Sequence, residues 1–259
     1  MDKAEAVIRL RAAGCVFAED EAAILDAAAT GPTGPAVLAA LVGRRARGEP
    51  LEQVVGFADF GGVRVRLRPG VFVPRVRSEL LVRVALETAG PGAVVVDLCC
   101  GSGALGLAVR NQQKTIELYA ADIDPVAVAC ARDNLDAYVY QGDLFDALPP
   151  GLRGRVDVLL ANVPYVATRH IALLPAEARD HEPATALDGG DDGLDVFRAV
   201  VAEAPRWLAP GGVVLSEITE AQAGPAAEAA GAAGLDADVR FDDDLDARVL
   251  RGRMRTTGR

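Results

Sequence analysis

The sequence predicts an α/β protein whose mostly parallel sheet is covered on both faces, preceded by a small helical domain and a β-hairpin. Three observations predict this. Apolar runs at 94–98, 116–121, 137–140, 156–161 and 212–218 alternate with helix-like segments, as in a parallel sheet whose crossover helices lie on its faces. Before about residue 85 the apolar positions recur at helical spacing instead. Near the end, LDADVRF and ARVLRGRM flank the acidic turn DDDLD, which predicts a closing hairpin with one antiparallel strand in the sheet.

In chain order, Val7, Ile8 and Leu10, then Ile24 and Leu25, then Val37, Leu38 and Leu41 mark helices, and GPTGP at 31–35 separates two of them. In GFADFGGVRVRLRPGVFVP, Val63, Val65 and Leu67 alternate with Arg64, Arg66 and Arg68 at strand period, and Gly61-Gly62 supplies the hairpin turn. The division that follows is a helical domain over 1–52, a hairpin and linker over 53–85, and a sheet domain over 86–259. Ala/Gly-rich 221–234 reads as a helix with loose ends, Phe197 and Trp207 as core, and RVLRGRMRTTGR as a frayed strand end.

Composition bounds the function. A chain of 259 residues buries a substantial core, and with aromatics at 5% Ala, Val and Leu do most of its packing. The net charge of −10 argues against an evenly basic surface that tracks phosphate backbones. Nine arginines crowd residues 44–83, and they read as a solvated hairpin more than as contact with a nucleoprotein. Cys15, Cys99, Cys100 and Cys130 have no CxxC spacing, and neighbouring Cys99 and Cys100 would make a strained disulfide; reduced thiols in a cytoplasmic protein are expected. His170 and His181 have no ligand spacing, so no metal is expected. MDKAEAVIRLRAAG lacks the apolar core of a signal peptide, and no apolar run approaches membrane-spanning length.

VVVDLCCGSGALG reads as a strand, a tight turn and the opening of a helix. Gly101, Gly103 and Gly106 satisfy G-x-G-x-x-G, and Asp122 ends the next strand at a fitting distance. A dinucleotide and S-adenosylmethionine share this geometry. Asp97 separates them, because a carboxylate before the turn repels pyrophosphate but suits the donor's amino-acid end. Asp143, after the third strand, is placed to meet an adenine amino group. One such Asp alone is more often a cap or turn residue. Three at consecutive strand ends, at the edge where open sheets bind ligands, favour S-adenosylmethionine.

VLLANVPY lies at the end of the fourth strand, beside the same edge. A planar amide or amine nitrogen is a poor nucleophile. Two acceptors gripping its N–H bonds, the Asn162 side-chain oxygen and the Val163 carbonyl, would aim its lone pair at a methyl group. Pro164 would stiffen the turn and Tyr165 lie against the planar group. Alone, Asn-x-Pro-Tyr is more often an ordinary turn; its place downstream of the glycine loop favours function.

Together these motifs resemble the class I glutamine methyltransferases of the HemK type, which methylate the Gly-Gly-Gln loop of peptide-chain release factors. GFADFGGVRVRLRPGVFVPRVRSELLV is similar to the family's hairpin and Pro-Arg-x-x-Ser/Thr-Glu stretch, DLCCGSGALGLAV to its donor loop, and ADIDPVAVACARDNL and GDLF to its ribose and adenine segments. NVPY resembles Asn-Pro-Pro-Tyr, and HEPATALDGGDDGLDVFRAVV the Glu-Pro-x-x-Ala-Leu segment. The resemblance implies a seven-stranded, Rossmann-like, S-adenosylmethionine-dependent methyltransferase. Asp97, Cys99, Cys100, Gly101, Ser102, Gly103, Asp122, Asp143, Leu144 and Asn162 would surround the donor. Asn162, Val163, Pro164 and Tyr165 would bind the amide, and the N-terminal helices would help select a protein substrate, a release factor. Nucleic acid would be met only through a ribosome-associated substrate, and no membrane.

Two departures mark a divergent branch. Cys99 stands where the loop usually begins with Gly, and Val163 replaces the first Pro, keeping the carbonyl and losing rigidity. Arg75 and Glu79 either form a helix-start ion pair or close over the donor, and His181-Glu182-Pro183 reads as a loop bordering the cleft. Three rivals stand beside this reading. An adenine or cytosine amino methyltransferase shares related signatures, a nicotinamide-dependent oxidoreductase explains the glycine loop but leaves NVPY idle, and a donor-binding protein without turnover keeps only the pocket.

Overall fold

The computed structural model describes residues 1–31 and 33–256; one residue of the GPTGP break and the last three of the arginine-rich tail lie outside the described residues. Helices α1 (Lys3–Ala12), α2 (Ala18–Ala28), α3 (Gly34–Arg45) and the short α4 (Leu51–Val55) come first. Asp2 caps α1 by accepting from the Glu5 amide at 2.9 Å. Ala6, Leu10, Ala18, Ala22, Leu25, Leu38 and Val42 form a cluster of their own. Ile8 and Ile24 leave the expected pattern and are 71% and 40% exposed. The buried stripe of α1 runs through Ala6 and Leu10, and a residue two steps from either points to the opposite side of the helix.

Strands β1 (Phe57–Phe60) and β2 (Val63–Arg66) pair antiparallel, with Phe60 opposite Val63 around Gly61-Gly62. Val65 is buried and Arg64 and Arg66 are exposed, as the alternation requires. Helix α5 (Glu79–Leu86) follows, and then the sheet region: β3 (Val94–Leu98), α6 (Ala104–Gln112), β4 (Glu117–Asp122), α7 (Pro125–Asn134), β5 (Tyr138–Gln141), β6 (Val156–Ala161), α8 (Ala176–His181), α9 (Asp195–Glu203), β7 (Leu208–Glu217), α10 (Ala223–Ala232), β8 (Asp236–Asp242) and β9 (Ala247–Arg253).

The seven strands lie in the order β5-β4-β3-β6-β7-β9-β8. The first five are parallel, and β9 enters antiparallel between β7 and β8. Strand β7 starts earlier than its apolar run. Its pairing with β6 jumps from Val156↔Leu208 to Val158↔Val213, so Ala209-Pro210-Gly211-Gly212 is accommodated as an irregularity; Pro210 lacks the N–H that a regular ladder needs.

The central strands β3, β4, β6 and β7 are mostly apolar, yet period two still sorts them. Val95, Val158, Leu160, Val213 and Leu215 pack with Leu81, Val109 and Val128 of α5, α6 and α7. Val96, Leu98, Leu159, Ala161 and Val214 face the other way, onto Phe197 and Val200 of α9 and Ala226 of α10. Trp207 stacks on Phe145 at 5.3 Å in that second layer. Among the described residues no helix is long and apolar enough to cross a membrane.

The arginines of residues 44–83 are not one solvated face. Arg64 pairs with Asp59 inside the hairpin, but Arg68, Arg75, Arg77 and Arg83 reach Asp133, Glu182, Glu217 and Asp242, far along the chain. The acids that neutralise them are invisible to a local count of charge.

Candidate active site

The carboxyl ends of β3, β4 and β6 meet at one edge of the sheet. The chain leaves β3 and turns through Cys99–Gly103 into α6. Cys99 holds φ 54°, a left-handed conformation that disfavours an L-residue by roughly 1–2 kcal/mol. That backbone demand, more than side-chain size, explains why Gly suits this position. The Cys100 amide donates to the Ala121 carbonyl at 3.1 Å. Asp122 accepts from the Gly101 amide at 2.8 Å and from the Asp124 amide at 2.9 Å, so one carboxylate ties the turn to the next strand.

Asp97 lies deeper than its sequence position suggests. It is 1% exposed, and its Oδ2 accepts from the Gly106 amide at 2.9 Å inside α6. Its Oδ1 is buried with no partner among the described residues. Burial pushes its carboxyl up to about 7 despite the Gly106 amide, with Asp122 adding to the rise. The Cys99 thiol is raised to about 12, first by burial and then by Asp122, Asp97 and Asp143. It is therefore a neutral thiol at physiological pH and a weak competitor as a nucleophile. All four cysteines are free.

A cavity of about 450 Å³ opens against this turn, lined by Cys99, Cys100, Gly101, Ser102, Asp122 and all of Asn162, Val163, Pro164 and Tyr165. An adjoining cavity of about 560 Å³ shares Cys99, Asp122 and Pro164 and extends to Asp143 and Leu144. Asp97 and Gly103 stand on neither wall. Gly103 instead abuts Leu135, whose Cδ1 would lie 2.8 Å from an added Cβ. Ile123, which the sequence reading missed, is 58% exposed and lines both cavities, an apolar flank next to the Asp122 carboxylate.

The Asn162–Tyr165 corner is held from behind. A Cβ on Gly189 would sit 2.6 Å from the Pro164 carbonyl, so only glycine lets the two backbones approach. Gln222 Nε2 donates to the Tyr165 carbonyl at 2.9 Å. The GG of LDGGDDG was the one sequence signal for this backing.

On the cavity side, Asn162 Nδ2 donates to Ser78 Oγ at 3.3 Å, while Asn162 Oδ1 is buried without a partner among the described residues. Ser78 Oγ donates to Glu217 Oε2 at 2.5 Å, and Tyr165 OH donates to Glu217 Oε1 at 2.6 Å. Arg77 Nε donates to the same Oε1 at 2.8 Å. Burial and the Glu217 charge raise the Tyr165 phenol, so it remains protonated and is no base.

Arg75 and Glu79 do not pair with each other. Arg75 donates to both Glu182 oxygens at 2.7 and 2.6 Å, and the Val73 amide adds a third bond at 3.2 Å. Glu79 accepts instead from the Gly61 amide at 3.1 Å, tying the hairpin turn to α5. His181 ends α8, and Pro183 lines the first cavity.

The electrostatics of the edge are acidic. Asp122 and Asp143 line the two cavities and Asp97 lies beneath the turn, while Arg75 and Arg77 on the far wall are paired to Glu182 and Glu217. Such a set suits a cationic ligand with hydroxyl and amino groups and opposes a pyrophosphate.

Comparison with known proteins gives a consistent picture. Residues 62–178 match the methyltransferase small domain family. The chain is 39% identical, over 83% of its length and 78% of the relative's, to a release factor glutamine methyltransferase of Mycolicibacterium smegmatis. It is 37% identical, over 83% of itself and 76% of the relative, to a 4-amino-L-phenylalanine/4-methylamino-L-phenylalanine methyltransferase of Streptomyces pristinaespiralis. Among solved structures, a methyltransferase from Pyrococcus furiosus aligns with TM-score 0.56 at 16% identity over 75% of this chain and 90% of that one; that likeness is one of fold.

Proposed function

The chain belongs to the release factor glutamine methyltransferase family, and from that premise we propose that it methylates the side-chain amide of a glutamine in the Gly-Gly-Gln loop of a peptide-chain release factor, in the cytoplasm. It is an S-adenosylmethionine-dependent methyltransferase. The residues at the sheet edge fit that donor: carboxylates, an apolar flank and unpaired acceptors, with the nearby guanidiniums already paired.

When bound, the donor supplies an electrophilic methyl group on a sulfonium. The residues of this chain do the rest. Asp122 accepts from ribose hydroxyls, and Asp143 and Leu144 border the adenine. Cys99, Cys100, Gly101 and Ser102 form the floor of the cleft, with Gly103 and Asp97 shaping the turn from behind. Asn162 Oδ1 accepts one N–H of the glutamine amide, and the Val163 carbonyl accepts the other. This turns the nitrogen lone pair toward the methyl group; as the N–C bond forms and the methyl–sulfur bond breaks to leave a neutral thioether, the same two oxygens stabilise the positive charge developing on nitrogen, and one N–H proton is then lost to solvent. Alignment of this kind is worth roughly 7–11 kcal/mol in the best oriented cases. Tyr165, kept protonated and bonded to Glu217, presents a planar surface rather than a base.

The observation that carries this reading is the buried Asn162 Oδ1, unpartnered in a corner that lines the same cavity as the glycine turn. Helices α1–α4 are proposed to help select the protein substrate. The test is incubation with radiolabelled donor and three separate acceptors: a release factor, nucleic acid, and the aromatic amine of the Streptomyces relative. Label on the Gly-Gly-Gln glutamine is the expected result; label confined to nucleic acid or to the free amine overturns it.

A further inference from the structure

We propose that Ser78 and Glu217 are positioning residues that set which way round the Asn162 carboxamide faces. The inference rests on the reading of Asn162 as the amide-gripping residue. The argument is one of proton inventory. A carboxylate only accepts, so the short contact between Ser78 Oγ and Glu217 Oε2 must be donated by the serine. A hydroxyl has one proton, and with it committed to Glu217 the Ser78 oxygen can only accept from Asn162. The group of Asn162 that faces Ser78 at 3.3 Å must therefore be its NH2, and the carbonyl oxygen is left on the other side of the amide, buried and without a partner among the described residues.

Glu217 is suited to dictate this polarity. It is 3% exposed, Arg77 holds one of its oxygens at 2.8 Å, and Tyr165 donates to that same oxygen. With Oε1 fully engaged, Oε2 is the atom left for Ser78. The link therefore runs from the end of β7, through the turn preceding α5, to the end of β6, and it joins three segments distant in sequence. Without it an Asn amide can flip, and a flipped Asn162 would present donors, not an acceptor, to the substrate N–H.

The experiment compares wild type with Ser78→Ala, Ser78→Thr and Glu217→Gln, the last of which frees the Ser78 hydroxyl to donate to Asn162 instead of accepting from it. Donor affinity by calorimetry is expected to stay within about 3-fold, while kcat falls roughly 10–100-fold in Ser78→Ala and Glu217→Gln and recovers in Ser78→Thr. A second readout needs no turnover: the side-chain ¹⁵N–H pair of Asn162, assigned by its loss in Asn162→Asp, should exchange with solvent at least about tenfold faster in Ser78→Ala. Wild-type kcat in both Ser78→Ala and Glu217→Gln, failure of threonine to rescue, or an unchanged exchange rate overturns the proposal. A wild-type protein that methylates no glutamine would sink the substrate reading alone, and the exchange comparison would still decide the orientation.

Discussion

Replacing Asp97 by Asn should make the protein more stable at alkaline pH, by an amount that grows as pH rises from about 4 to about 7 and then levels off. Asp97 is 1% exposed with one oxygen unpartnered, and burial lifts its carboxyl from an ordinary 3.8 to about 7. Between those two values the folded state keeps a proton that the unfolded chain has lost. Stability therefore falls as pH rises across the interval and levels off above it. At ~1.36 kcal/mol per pH unit over roughly three units, the ionised carboxylate destabilises the wild type by ~4 kcal/mol at about pH 8. Asparagine escapes this, and its amide oxygen still accepts from the Gly106 N–H. Urea unfolding of both proteins at about pH 4.5, 6 and 8 should show a small gap that widens to ~3–4 kcal/mol in favour of the variant. Donor binding runs the other way. A cation bound near the turn favours the ionised form, so wild-type affinity should rise through about pH 7 and the variant's should stay flat. A gap independent of pH, or a variant less stable than wild type at about pH 8, would refute the reasoning.

Asn162→Ala should lower kcat by roughly 10²–10³-fold while leaving donor affinity unchanged, measured by steady-state kinetics and calorimetry. Val163→Pro should keep activity within about 3-fold: among the described residues the Val163 amide donates no backbone hydrogen bond that proline would remove. Arg75→Met strands the Glu182 side chain, which is fully buried and held above the usual carboxylate range by that burial. Urea unfolding should show a loss of ~2–4 kcal/mol, less than half of which survives in the Arg75→Met, Glu182→Gln double variant.

What the sequence disclosed was what is local. Continuous apolar runs alternating with helix-like segments located the sheet strands to within a few residues, because strands packed against layers on both faces are apolar on both. The glycine turn and the Asn-Val-Pro-Tyr corner were legible because each is a strand end followed by a few residues of unusual type. Ser78 sits in the Pro-Arg-x-x-Ser/Thr-Glu stretch, but its bond to Glu217 was not legible, since that link spans 139 residues. The depth of Asp97 was equally hidden: a strand-end Asp looks alike in sequence whether it lines a cleft or supports the helix behind it. The start of β7 was missed because Pro210 and two glycines mask the strand, and the Arg75–Glu79 pairing failed because Glu182 is the nearer acid only after folding.

The long-range arginine pairs have a consequence for synthesis. Residues 44–83 carry nine arginines against four acids, in a chain whose net charge is −10. The partners of Arg68, Arg75, Arg77 and Arg83 are all translated later. Arg77 precedes Glu217 by 140 residues, an interval of about 7–28 s at typical elongation rates of roughly 5–20 residues per second. Until then the nascent polypeptide carries a cationic stretch whose neutralising acids follow stepwise, Asp133 first and Asp242 last.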